Sequence, residues 1–185
     1  MGVILEDDAR PALFILHGES KSPLRLTTAG DFDGTVAVMA NWTATTTANA
    51  TTDQLLDVLT RPDEIRRWSP IDFDLEDCDG RLAAGTRTRV TGRLAGVPVG
   101  FDVEVHAAGE DGLRLSADGP IGIDVLYELA PASAGAELNA SVSLRKGRGL
   151  TGRLVANATA ALLSTGVLDN AAGRIARAAE VAVAA

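Results

Sequence analysis

Residues 150–180 read LTGRLVANATAALLSTGVLDNAAGRIARAAE, and the period of this stretch decides the fold. Leu150, Leu154, Ala158, Ala161, Thr165, Leu168, Ala172, Ile175 and Ala179 recur by threes and fours, while Arg153, Asn157, Ser164, Arg174 and Arg177 fall in other directions around a helix. The pattern predicts one long amphipathic helix of about 30 residues. Gly166 and Gly173 weaken it locally, each by up to ~1 kcal/mol relative to Ala. An apolar stripe of this length is made to cover a sheet.

The sheet is legible upstream. Val36, Val38, Ala40, Trp42, Ala44 and Thr46 alternate as in a half-buried strand. Thr51-Thr52-Asp53 then signals a helix start before Leu55, Leu56, Val58 and Leu59. Pro62 ends or kinks that helix, and Asp63 is placed to cap a second short one running through Trp68. A strand meander follows. With a turn at Ala95-Gly96, a three-residue loop and shifted register being the alternative, Thr86–Leu94 and Val97–Ala107 pair so that Val90 faces Phe101 and Thr88 faces Val103 on the core side. The same register sets Arg89 opposite Asp102 and Arg87 opposite Glu104 on the water side, pairs worth ~0.2–1 kcal/mol each. Further strands carry Leu113, Leu115 and Ala117; Ile121, Ile123, Val125, Tyr127 and Leu129; and Leu138, Ala140, Val142 and Leu144. Tight turns between them imply antiparallel neighbours.

Ala50-Thr51-Thr52-Asp53-Gln54-Leu55, Val58-Leu59-Thr60-Arg61-Pro62, Arg67-Trp68-Ser69-Pro70, Gly119-Pro120-Ile121-Gly122-Ile123 and Gly149-Leu150-Thr151-Gly152-Arg153-Leu154 make the chain similar to a known group. Over about residues 36–180 it resembles the START-related, birch-pollen-allergen-like superfamily (SRPBCC), in particular its polyketide cyclase/dehydrase-like branch. The resemblance implies an α+β helix-grip fold. A curved antiparallel sheet of about six to seven strands surrounds the long C-terminal helix, with two short helices after the first strand. It implies no single reaction, because the family includes lipid and hormone binders as well as cyclases. Residues 1–34 lie outside it and read as an N-terminal extension, partly ordered or mobile, before a ligand-binding domain over 35–185.

Composition narrows the function further. The 185 residues carry a net charge of −8, so no basic face is available to neutralise phosphates, and nucleic acid is excluded as a partner. No apolar run approaches the roughly 18–20 residues of a membrane span. Glu6, Asp7 and Asp8 stand where a secretory signal would be basic, so a cytoplasmic location is expected, as monomer or homodimer. One cysteine, Cys78, and two histidines, His17 and His106, leave little for metal or acid–base chemistry, and neither metal nor cofactor is expected.

Several motifs are better explained without chemistry. Asp31-Phe32-Asp33-Gly34-Thr35 spells the DxDGT signature of haloacid-dehalogenase-type phosphatases, but the preceding Leu24–Gly30 is polar and broken rather than a buried strand. Gly147-Arg148-Gly149-Leu150-Thr151-Gly152 spells GxGxxG, yet no second parallel strand with a ribose-binding acid follows. Its glycines read as a tight turn onto the sheet. Asp72, Asp74, Glu76, Asp77 and Asp79 lack calcium-loop spacing and, alternating with Phe73 and Leu75, read as the outer face of a strand. His106 falls on the solvent side of its strand.

The inward residues remain. Trp42, Trp68, Phe73, Thr88, Phe101, Val103, Tyr127, Leu154 and Ala158 are the expected walls of a pocket between the sheet and the C-terminal helix. The expected ligand is a small hydrophobic molecule, lipid-like or polyketide-like. A polyketide aromatase/cyclase-type enzyme is the alternative, with Tyr127 the one catalytic candidate, and a filled core serving a structural or partner-binding module is the third reading. No inward Asp, Glu, His or Arg is identifiable, which favours binding over catalysis.

Overall fold

A computed structural model describes residues 38–76, 80–94, 96–145, 147 and 149–183. Residues 1–37, with the DxDGT motif, and Asp77, Cys78 and Asp79 lie outside them. The described chain runs β1 (Val38–Ala48), α1 (Thr52–Thr60), α2 (Pro62–Trp68), β2 (Phe73–Glu76), β3 (Arg87–Leu94), β4 (Val97–Gly109), β5 (Gly112–Asp118), β6 (Gly122–Ala132), β7 (Gly135–Arg145), α3 (Gly149–Ser164) and α4 (Val167–Val183). The strands form a seven-stranded sheet in the order β1-β7-β6-β5-β4-β3-β2, antiparallel throughout. Each strand neighbours its successor except β1, which closes against β7 after the two short helices have carried the chain across the inner face.

Local chemistry accounts for the helix boundaries. Thr51 caps α1: its Oγ1 accepts from the Gln54 amide at 3.3 Å, and the Gln54 side chain accepts from the Thr51 amide at 2.8 Å. Pro62 starts α2, where its missing N–H costs nothing. Asp63 does not cap this helix as expected. The N-cap is Arg61, without a side-chain bond, and Asp63 lies in the first turn, 3.3 Å from Arg66. Pro62 needs no donor satisfied, so the cap position falls one residue before it.

The β3–β4 register is the expected one. Thr88 lies opposite Val103 and Val90 opposite Phe101, while Arg87–Glu104 and Arg89–Asp102 close ion pairs of 2.9 and 2.7 Å on the outer face. A bulge between Val105 and Ala107 shifts the β4–β5 register by one residue, so that Ala108 lies opposite Leu113. His106 is exposed on the outer face and meets Ser116 Oγ at 2.8 Å.

The closing segment departs from expectation. It forms two helices, because Gly166 adopts a left-handed backbone (φ +78°) and the amides of Thr165 and Gly166 bond back to Leu162 and Leu163. The Gly166 carbonyl then accepts from Asn170 to begin α4. The two halves also present different phases. α4 buries the expected Leu168, Ala172, Ile175 and Ala179, with Ala171 and Ala176 beside them. α3 instead buries Gly152, Val155, Ala156 and Thr159, leaving Leu150 and Leu154 84% and 60% exposed.

The main core joins α1 and α4 to β1, β7 and β6: Leu55, Leu59, Leu138 and Ile175 are at most 1% exposed. A smaller cluster of Ile121, Leu144, Val155 and Ala156 seats α3, with Trp42, Val99 and Phe101 packed against it. The close approach there requires glycine. A Cβ on Gly152 would stand 2.6 Å from the Pro120 carbonyl oxygen, and one on Gly147 would stand 2.8 Å from Ile121 Cγ2. The GxGxxG spelling is thus a packing joint between a sheet turn and a helix.

Candidate functional site

An apolar cavity of about 220 Å³ lies between the inner face of β3–β6 and a cover made by α2, the turn after it and β2. Alternation along the strands delivers its floor: Thr88 and Val90 from β3, Val103 from β4, Leu113 and Leu115 from β5, Val125 and Tyr127 from β6. Ile65 and Trp68, one helical turn apart on α2, form the cover with Ser69, Ile71, Phe73 and Leu75, while Leu59 and Leu82 close the deep end. No charged side chain is among these lining residues.

Its polar atoms are nearly all committed. Trp68 Nε1 donates to the Val58 carbonyl at 3.1 Å, which holds the indole across the cavity. The Thr88 hydroxyl donates to the Glu76 carbonyl, tying β3 to β2, and the Ser69 hydroxyl donates to the Ile71 carbonyl at 2.8 Å. Tyr127 differs. Its ring stands edge-on to Trp68, centroids 6.3 Å apart and planes at 78°. Its hydroxyl has no hydrogen-bond partner among the described residues, and Tyr127 is one of the lining residues. Burial alone pushes this phenol up to about 12.

Five of the nine expected wall residues meet here: Trp68, Phe73, Thr88, Val103 and Tyr127. The other four do not. Trp42 and Phe101 pack beneath α3 in the smaller cluster, Ala158 is half-buried on α3, and Leu154 faces outward. The expected site between sheet and C-terminal helix is corrected accordingly, since neither α3 nor α4 contributes to this cavity. The side chains that α4 buries are mostly alanines. The strands beneath them carry Ala44, Ala48, Ala136 and Ala140, all at most 4% exposed, so helix and sheet close on each other. Leu59, Ile65, Ile71, Leu75, Leu82, Val90, Leu113, Leu115 and Val125 were absent from the expected set. The Ile65/Trp68 spacing on one face of α2 was the available signal for its cover.

A wider hollow of about 610 Å³ at the start of α2 is lined by Arg61, Asp63, Glu64, Arg66, Arg67 and Arg81 among others. Each of those arginines already faces a carboxylate, Arg81–Asp57 and Arg67–Glu64 at 2.6 Å being the shortest, so this is a solvated charged surface. Among the described residues no helix is long and apolar enough to cross a membrane, and no group of three or more His, Cys, Asp or Glu could hold a metal ion.

The order of elements and the sheet topology recur in solved structures. A protein of Thermus thermophilus superposes with a TM-score of 0.59 over 77% of this chain and 99% of its own, at 12% identity. An uncharacterised protein of Rhizobium leguminosarum gives 0.55 over 75% and 95%, at 12% identity. DynU16, a protein of the dynemicin biosynthetic locus, gives 0.50 over 77% of this chain and 48% of its own, at 22% identity. The fold shared with them is the α+β helix-grip arrangement of an antiparallel sheet and a closing C-terminal helical segment. No protein-family model and no curated protein sequence matches the chain. At these identities the likeness is one of architecture alone.

Proposed function

We propose that this chain binds a small apolar or aromatic molecule in the cavity beneath α2. The observation that carries the reading is a wall whose described residues are aliphatic and aromatic side chains without a charge, their polar atoms turned to the chain's own backbone save one hydroxyl. Such a space is dry by composition and attracts carbon rather than water. A guest burying ~250 Å² of apolar surface gains about 6 kcal/mol. Association costs take back about 4 kcal/mol or more, so burial alone supports weak binding.

The enzyme alternative is less well supported. Among the described residues Tyr127 is the only titratable group on the cavity wall, and with its phenol at about 12 it neither gives nor takes a proton readily near neutrality. A cyclase of poly-carbonyl chains would also need more room than about 220 Å³.

Heteronuclear NMR titration with toluene tests the reading. Saturable shifts are expected around Val90, Leu113 and Val125 in the wild type and not in Val103→Phe, whose added ring occupies the space. Wild-type shifts that do not saturate, or that survive the substitution unchanged, would defeat it.

A further inference from the structure

The cavity's contents restrict its guest more narrowly than apolarity does. The Trp68 N–H and the Thr88 and Ser69 hydroxyls already donate to the Val58, Glu76 and Ile71 carbonyls, so none of these protons is free for a ligand. Tyr127 is 8% exposed, lines the cavity, and carries a hydroxyl without a partner among the described residues. A phenolic O–H left unpaired in apolar surroundings costs free energy until an acceptor reaches it. Size is bounded as well. An apolar cavity of about 150 Å³ accommodates benzene, so the space here suits about nine non-hydrogen atoms. Charge is bounded by the wall: with no cation among its described residues, a carboxylate or phosphate would lose its hydration without compensation.

We propose that the guest is a neutral molecule of single-ring size bearing one hydrogen-bond acceptor, a carbonyl or ether oxygen, which receives the Tyr127 proton while its carbon skeleton fills the space between Trp68, Val103 and Val125. This rests on the binding assigned above to the same cavity and adds its chemical class. No bond is made or broken; the hydroxyl selects among guests of equal shape.

Three probes separate the possibilities. Acetophenone carries the acceptor, α-methylstyrene replaces its oxygen by a methylene at nearly the same shape, and benzoate carries a charge. Each is titrated by NMR into wild type and into Tyr127→Phe, with urea unfolding confirming that the variant is folded. Tyr127→Phe should weaken acetophenone about fivefold, the worth of one net hydrogen bond, and leave α-methylstyrene unchanged or tighter. Benzoate should bind neither protein at neutral pH. Equal changes for the two neutral probes, or benzoate binding as tightly as acetophenone, would overturn the assigned class while leaving apolar binding intact. Failure of both neutral probes in the wild type would remove the cavity reading and this inference together.

Discussion

The two ends of the inner sheet face are both apolar and reach opposite outcomes. Under α4 and α1, small side chains meet small side chains: Ala172, Ala176 and Ala179 oppose an alanine-rich part of β1 and β7, and Leu55, Leu59 and Ile175 fill what remains. Under α2, larger side chains meet across a wider gap. Trp68 is pinned to the Val58 carbonyl and Thr88 to the Glu76 carbonyl, and the cover they hold does not settle onto Val103, Leu115 and Val125. Side-chain size alone therefore does not foretell a cavity. Whether the backbones are free to approach does.

The largest expected effect tests the filled end. Ile175 is fully buried, so Ile175→Ala should cost about 2–5 kcal/mol in urea unfolding, near the top of the range if the close-packed helix cannot relax inward. Leu115→Ala, on a side chain that already borders open space, forfeits fewer contacts and should cost clearly less. Equal losses would mean that the two ends are packed alike.

The hollow end has an alkaline signature. Tyr127 is the chain's one tyrosine, so tyrosinate absorbance reports it alone. Its folded pKa is raised to about 12, whereas an unfolded phenol titrates near 10. Its protonated form is the one the fold favours, so this contribution to stability is complete below about pH 10 and is lost as pH rises towards about 12. The loss amounts to about 2–3 kcal/mol, read by denaturant titrations across that window. A folded protein whose tyrosine ionises near pH 10 would show instead that water fills the cavity. The smallest effect belongs to α3: Leu154→Ser, at an outward position, should change stability by no more than about 0.5 kcal/mol. A large loss would restore Leu154 to the interior.

Much of the architecture was legible because it depends on local chemistry. The Thr51/Gln54 cap, the Pro62 boundary and the charge-matched β3–β4 register need only neighbouring residues or a turn to be read. Alternation correctly turned Thr88, Val103 and Tyr127 inward. The closing helix was legible only in part, since its threes and fours continue through Gly166. The period does not record that a left-handed residue resets the phase, so Leu150 and Leu154 were assigned inward and stand in solvent.

From its sequence this chain has its element order, the inward parity of its strands and one strand register, because each follows from side-chain alternation, caps and turns acting over short distances. The tertiary structure decided which inward surfaces touch. α4 closes on β1 because alanine faces alanine, whereas Trp68 of α2 is bonded to α1 and a space remains between α2 and the strands. A cavity is a property of two surfaces and the distance between their backbones, and a pattern along one strand or helix specifies only one of the two.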